Sequence, residues 1–232
     1  MSSFDKNDKT ERRDREFFME ISYLGHSSFK LKGKSVILVT DPFDPDMVGL
    51  KFPKIECYAV TVSHLHQDHD YLKNLEGTPL VISGPGEYEI KGTKIIGIAS
   101  YHDRLEGKER GLNTIYRIEM DGISLVHLGD LGHKLDDRLK EVIDGVDVLM
   151  IPAGGFYTIS PVEASEIISQ LEPKVVIPMH FNRKELDQKN FGKLSDVSVL
   201  LREMGKENVK PIPKLVVSKD KLLTEMTVVV LE

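Results

Sequence analysis

The run His64-Leu65-His66-Gln67-Asp68-His69 places three imidazoles and a carboxylate within six residues, directly after the apolar stretch 58–62. That stretch reads as a buried strand. In an extended segment residues two apart point the same way, so His64 and His66 can present both rings to one divalent ion. Asp68 and His69 follow as the chain turns toward a helix expected over 71–75, and they can reach a second ion. Imidazole and carboxylate donors suit zinc (Zn2+), and also manganese or iron. Two such ions sit about 3.5–4 Å apart and lower the pKa of a shared water to about 7. The bland alternative is a polar surface loop with chance histidines. The whole chain holds only eight histidines, and a surface loop has no need to gather three of them.

Composition narrows the setting. At 232 residues the chain can bury a full core without disulfides or a structural metal, so a metal here is expected to serve chemistry. The single cysteine, Cys57, excludes an intramolecular disulfide and fits a reducing, cytoplasmic compartment. It lies in an apolar stretch and reads as a buried small side chain, ahead of a reactive thiol. The net charge of -6 disfavours nucleic acid as a partner. No run has the length of a membrane-spanning helix, and the N-terminus lacks the apolar core of a signal peptide, so no membrane partner is expected. Homo-oligomerisation is left open.

Residues 1–17 read as a charged, flexible arm, and 18–232 as a single domain. Strands are expected at 19–24, 28–31, 36–39, 58–62, 80–83, 87–91 and 94–100. Asp121-Gly122 marks a hairpin between 114–119 and 124–128. Thereafter helices alternate with strands: helix 134–143, strand 146–151, a helix opened by the capping box Ser160-Pro161-Val162-Glu163, strand 174–178, and helix 195–204. Segments 215–217 and 226–231 look like a closing pair of strands. Strands first, then strands alternating with helices, predict an α/β fold of two packed sheets with helices outside: a four-layered αββα sandwich.

The motif His64-x-His66-x-Asp68-His69 at a strand end resembles the signature of the metallo-β-lactamase fold superfamily. The likeness extends from about Met19 to the C-terminus. Asp41, in Thr40-Asp41-Pro42-Phe43, matches its first element, and the histidine cluster its second. His102, Asp130 and His180, each near a strand end, match the remaining three. The resemblance implies that His64, His66 and His102 hold one ion, that Asp68, His69 and His180 hold the other, and that Asp130 bridges both. It implies that Asp41 orients a ligand histidine by hydrogen bonding. A finer likeness, carried by Tyr23-Leu24-Gly25-His26-Ser27-Ser28-Phe29, Asp41-Pro42-Phe43 and Gly84-Pro85-Gly86-Glu87, is to small hydrolases that include the ascorbate-phosphate lactonases.

Other residues carry two readings each. His26 is a substrate contact, a group supporting the ligands, or a hydrogen-bonded structural histidine. His127 reads as core or support. His133 could act on a leaving group or face solvent. Asp70 lies behind the ligands or caps the following helix. The loop 154–158 lines a pocket or merely turns. Arg110 and Asn113 are anion contacts or surface groups.

The implied reaction is hydrolysis of a small ester, lactone or phosphoester by a metal-bridging hydroxide, with the ions stabilising the developing charge. Asp68 could also accept a proton from the nucleophile. An anionic small molecule is the expected partner. A nuclease and a non-catalytic metal-binding or sensor protein are the alternatives. No Gly-x-Ser-x-Gly elbow is present, so Ser63 is no nucleophile.

Overall fold

The alternation of Met19, Ile21 and Tyr23 with Glu20, Ser22 and Leu24 buries one face of the first strand and leaves the other partly open. Such half-buried strands build the first half of the chain. The computed structural model describes residues 18–222 and 224–232, so the charged arm expected over 1–17 lies outside the described residues. In chain order the first half contains β1 (Met19–Gly25), β2 (Ser28–Lys32), β3 (Ile37–Thr40), helix α1 (Pro45–Val48), β4 (Ile55–Glu56), β5 (Ala59–Val62), β6 (Leu75–Glu76) and β7 (Leu80–Ser83). Then come β8 (Gly86–Ile90), β9 (Thr93–Tyr101), β10 (Leu112–Met120) and β11 (Ile123–His127). The second half adds α2 (Asp137–Ile143), β12 (Val148–Pro152), α3 (Pro161–Leu171), β13 (Val175–Met179), α4 (Gln188–Phe191), α5 (Val197–Glu203), β14 (Leu215–Val217) and β15 (Thr227–Val228).

Two sheets result. One has the order β14-β1-β2-β3-β5-β7, the other β15-β13-β12-β11-β10-β9-β8. Between them lies a core that includes Ile21, Phe29 and Leu38 from the first sheet and Ile118, Leu125 and Ile177 from the second. Outside the second sheet, α2, α3 and α5 cover Val126, Leu149 and Val176. β12 and β13 are therefore covered on both faces and buried at every residue. The outer face of the first sheet is closed by Phe43, Val48, Leu186 and Phe191, contributed by α1, α4 and the chain around them. The expected αββα sandwich is present, with a thin fourth layer made of two four-residue helices.

Local signals explain most boundaries. Asp121 and Gly122 both adopt positive φ, 50° and 80°, as a two-residue hairpin turn requires. The capping box of α3 forms as expected, with the Ser160 side chain accepting from the Glu163 N–H and Glu163 reaching back to Ser160. Other expectations change. The helix expected over 134–143 starts at Asp137, because Asp136 caps it by accepting from the Leu139 N–H. The helix expected over 71–75 is one 3-10 turn, Leu72–Asn74, without a side-chain cap. The two C-terminal segments do not pair: β14 joins β1 and β15 joins β13, closing separate sheets. An apolar run specifies a strand but carries no record of its partner.

The metal-seeking residues all follow strand ends: Asp41 after β3, His64 after β5, His102 after β9, Asp130 after β11 and His180 after β13. β3 and β5 run parallel, and so do β11, β12 and β13. The sheet directions thus deliver side chains from both sheets to one rim.

Tyr116 ties the sheets together near that rim. It sits fully buried on β10. Its hydroxyl accepts from the Gly84 N–H at 3.0 Å and lies 2.9 Å and 3.0 Å from the carbonyls of Val62 and Ile82. Tyr116→Phe leaves those backbone groups unpaired in the core. It should lower the unfolding free energy by about 1–3 kcal/mol, measurable as a shift of the urea midpoint at unchanged slope.

Candidate metal centre

The site begins at Asp41, which leaves β3 with φ 39° and is wholly buried. One carboxylate oxygen accepts from the Ser63 N–H at 2.8 Å, and the other lies 2.9 Å from Nδ1 of His69 and also accepts from the Ser63 hydroxyl. An ionised carboxylate only accepts, so the Ser63 hydrogen points to Asp41. The Ser63 oxygen then accepts from Nδ1–H of His64, 2.9 Å away. Burial pushes the Asp41 carboxyl up, but His127, His69 and His64 outweigh it and hold the group below its ordinary value. This chain of bonds fixes both tautomers. His64 and His69 each turn Nε2 away from these bonds, and both nitrogens are buried without a hydrogen-bond partner.

Those nitrogens face a shared centre. Nε2 atoms of His69, His102 and His180 lie 3.4, 3.3 and 3.1 Å from Oδ2 of Asp130. Donors bound to one ion at about 2.1 Å in tetrahedral geometry stand about 3.4 Å apart, so these spacings are those of co-ligands. The ligand atoms of His64, His66 and His102 lie within 4.8 Å of one another, and so do those of His26, Asp68, His69 and His180. Asp130 stands between the groups; its other oxygen, Oδ1, is buried and unpartnered. The donor set therefore fits divalent metal. Burial works against charge on Asp130, yet His180 and His69 hold its carboxyl well below the ordinary range. Burial likewise opposes protonation of His69, but Asp130 and Asp68 raise it well above.

The supporting residues are as ordered as the ligands. Nε2 of His26 lies 3.1 Å from Oδ2 of Asp68, and its carbonyl accepts from the His180 N–H at 2.8 Å. Burial lowers the His26 pKa to about 4, so the ring is neutral near pH 7 and donates to Asp68. Fully buried, it lines neither cavity at the site. The substrate-contact reading of His26 gives way to a positioning one. His127 accepts from the Gly129 N–H through Nδ1 and so donates through Nε2 to the Ser27 carbonyl. Asn113 is buried too: it accepts from the Asp130 N–H at 3.0 Å and donates to the Leu128 carbonyl and Ser100. It holds the Asp130 turn and is no surface group.

Other expected residues stand apart. Nε2 of His133 accepts from the Tyr101 N–H, so Nδ1 donates to the Lys134 carbonyl. With both nitrogens committed to backbone, His133 is not among the ligand groups or the lining of the metal-facing cavity. Asp70 caps no helix; its N–H bonds the His66 carbonyl in the turn, and burial raises its carboxyl pKa. Cys57 is buried and its thiol is pushed up to about 11 by burial, as an inert side chain should be.

A cavity of about 480 Å³ opens over the centre, lined by His66, Asp68, His102, Asp130 and His180. Arg110, Tyr157 and Lys189 line its walls. The Arg110 guanidinium lies 5.0 Å from the Tyr157 ring centre, a cation–π distance. The 154–158 loop thus does line the pocket. Asp103 was not singled out from the sequence, yet it organises this wall. Its carboxylate accepts from the N–H groups of Leu105, Gly107, Glu109 and Arg110 at 2.7–3.0 Å. The signal was available in the pair His102-Asp103 followed by Gly107 and Gly111. Lys189 had no such signal, because the short helix that carries it was unread.

Residues 20–180 match the family model of the beta-lactamase superfamily domain. The chain belongs to this superfamily. A UPF0173 metal-dependent hydrolase of Thermococcus onnurineus is 29% identical over 191 residues, covering 71% of this chain and 85% of the relative. Another, from Thermoplasma acidophilum, is 30% identical over 198 residues, with 72% and 85% covered. Among solved structures, a proposed Zn-dependent hydrolase of the metallo-beta-lactamase superfamily from Thermotoga maritima is 35% identical. It superposes with a TM-score of 0.75 over 92% of this chain and 98% of that one. The superfamily and its fold are those anticipated from the His64–His69 motif.

Asp103 supplies a pH prediction. Burial acts against its ionisation, but the four backbone donors, Arg110 and Leu105 first, bring its pKa to about 2. A depressed folded-state pKa stabilises the loop above the ordinary value of 3.8, and that stabilisation disappears as pH falls through about 2. Asp103→Asn should remove this dependence. It should also speed hydrogen exchange of the Leu105, Gly107, Glu109 and Arg110 amides by about tenfold or more at neutral pH, given about 1.5–3 kcal/mol per charged hydrogen bond.

Proposed function

We propose that this chain is a hydrolase that uses two divalent metal ions, with zinc preferred by the donor chemistry and manganese or iron as alternatives. Its substrates are small anionic esters, lactones or phosphoesters. The observation that carries the reading is Asp130 Oδ2 with three imidazole nitrogens within 3.4 Å, flanked by two ligand groups. The metal-dependent hydrolase names borne by the relatives point the same way. When bound, the ions supply a hydroxide nucleophile at neutral pH and draw off charge developing on the scissile group.

The chain's own residues do the rest. His64, His66 and His102 would hold one ion, Asp68, His69 and His180 the other, and Asp130 both. Asp68 faces the cavity and is held by His26, so its carboxylate is also placed to accept a proton from the nucleophile. Arg110 and Lys189 face the same cavity and favour an anionic substrate. A cavity of about 480 Å³ suits a small molecule, and the net charge of -6 disfavours a polynucleotide. The buried, inert Cys57 agrees with a cytoplasmic setting, and no helix among the described residues is long and apolar enough to cross a membrane.

Elemental analysis of the purified protein should give two divalent ions per chain. A chelator should abolish turnover of a small phosphodiester or lactone, and zinc should restore it. Asp130→Ala should lose both ions and at least about a hundredfold in rate, more than an outer partner of a ligand costs. Two bound ions without turnover of any ester, lactone or phosphodiester would favour the sensor reading.

Arg110→Met tests the anion preference. It should raise KM for an anionic substrate about tenfold or more while kcat changes little, since a charged hydrogen bond contributes about 1.5–3 kcal/mol. A neutral ester of the same size should be unaffected.

A further inference from the structure

A second cavity, also about 480 Å³, adjoins the metal cavity and shares Leu65, His66 and Arg110 with it. Its walls are the metal-binding loop, the turn after β7, the end of β9 and the start of β10. Its chemistry differs from that of its neighbour. Among the described residues no carboxylate lines it, and Arg110 is its only Lys or Arg. Three of its large apolar side chains stand in solvent: Leu65 is 75% exposed, Leu112 70% and Tyr101 38%. Each square ångström of apolar surface left in water forgoes about 25 cal/mol. Exposed apolar groups gathered around one opening mark a place where something apolar binds.

The cavity is built, not incidental. Gly84, in its wall, is pinned to the second sheet by the Tyr116 hydroxyl. The carbonyl of Gly84 lies so close to β9 that a Cβ at Gly97 would stand 2.6 Å from it. Arg110, on the shared wall, is held through its N–H by Asp103 and packs on Tyr157. A rigid apolar chamber thus lies on one side of a fixed cation, and the metal centre lies on the other.

We propose that this second cavity receives the apolar arm of an anionic substrate whose scissile group lies over the metal centre. The preferred substrates are then amphiphilic, with an alkyl or aryl group beside the charged head, and not wholly polar metabolites. The assignment deepens the hydrolase reading above and rests on it. Continuity through His66 and Arg110 singles out one occupant, a single molecule spanning both chambers.

The test is calorimetric titration of the zinc-loaded protein with n-alkylphosphonates from methyl to octyl. Affinity should rise about three- to fourfold per methylene over several carbons, the value of a buried CH2, and then level off. Ala99→Trp should flatten that rise, because Ala99 is an exposed lining residue whose enlargement fills the chamber. Leu112→Asp, at a side chain with little packing to lose, should flatten it as well. Each variant must still bind methylphosphonate as the unmodified protein does, which shows fold and metal intact, so that a flattened slope reports the chamber alone. A flat series in the unmodified protein, no binding at any length, or an unchanged slope in both variants would overturn the proposal. If a second copy of the chain fills the cavity instead, sedimentation shows a dimer that Leu112→Asp dissociates, with a flat series. Chelator-sensitive hydrolysis of the shortest acyl ester is measured alongside. Its absence with the slope intact would sink the hydrolase reading, while the slope still decides the cavity.

Discussion

Three imidazole nitrogens packed against one buried carboxylate oxygen set the terms for the whole rim of this molecule. Asp130 is 2% exposed, His69 0%, His102 2% and His180 1%. Groups so desolvated must be paired, and most of the pairing available here is with one another. Hydrogen bonds among the described residues do not complete it, because Nε2 of His64 and of His69 and Oδ1 of Asp130 stay without a partner. Two divalent cations would satisfy all of these atoms together. The fold then has to hold these desolvated side chains still at one rim.

Rigidity is supplied by the backbone. His26, Asp41 and His180 all occupy left-handed backbone conformations, with φ of 55°, 39° and 50°. Such conformations are costly for residues other than glycine and cluster where function over-determines the geometry. Close approach adds to this. A Cβ at Gly132 would lie 2.3 Å from the His102 carbonyl, and one at Gly154 would lie 2.3 Å from that of His180. Neutral histidines then lock the turns: His26 bonds Asp68 while its carbonyl holds the His180 N–H, and His127 bonds Gly129 and Ser27. Strain in the site is balanced by bonds that converge on it from both sheets.

This division explains what could be read from the sequence. The gathering of the metal-seeking residues was legible because metal chemistry restricts each such position to a few residue types and strand ends fix their order along the chain. The two-sheet architecture was legible from alternation in β1 and from the continuous apolar runs of β12 and β13. What escaped has a different physical basis. The pairing of β14 with β1 and of β15 with β13 depends on long-range closure, which an apolar run does not encode. His26 could not be assigned, because a histidine bonded to a ligand and one facing substrate look alike until burial is known. His133 follows Asp130 by only three residues, yet the Tyr101 and Lys134 backbone claims both its nitrogens. Asp103 was missed because its partners are N–H groups, which every residue but proline supplies.

The candidate metal centre and the cation on its cavity wall are therefore carried by separate parts of the chain. The candidate metal centre is fastened at strand ends by Asp41, Asn113 and His127, which bond the Ser63, Asp130 and Gly129 N–H groups. Arg110 is instead carried by the loop between β9 and β10, which is fastened at one end by Asp103 from within. From outside, Arg104 contacts both oxygens of the Glu163 carboxylate at 2.7 Å. The exposed Arg104 pair contributes little, because solvent screens it. Asp103, only 6% exposed, is thus the main internal hold on this loop. With Asp103 and the positive-φ glycines Gly107 and Gly111 retained, the exposed loop side chains can vary while His102, just ahead of Asp103, keeps its place. A scaffold that hosts many chemistries gains from that independence: the sheets position the candidate metal centre, and one carboxylate holds the neighbouring loop apart from it.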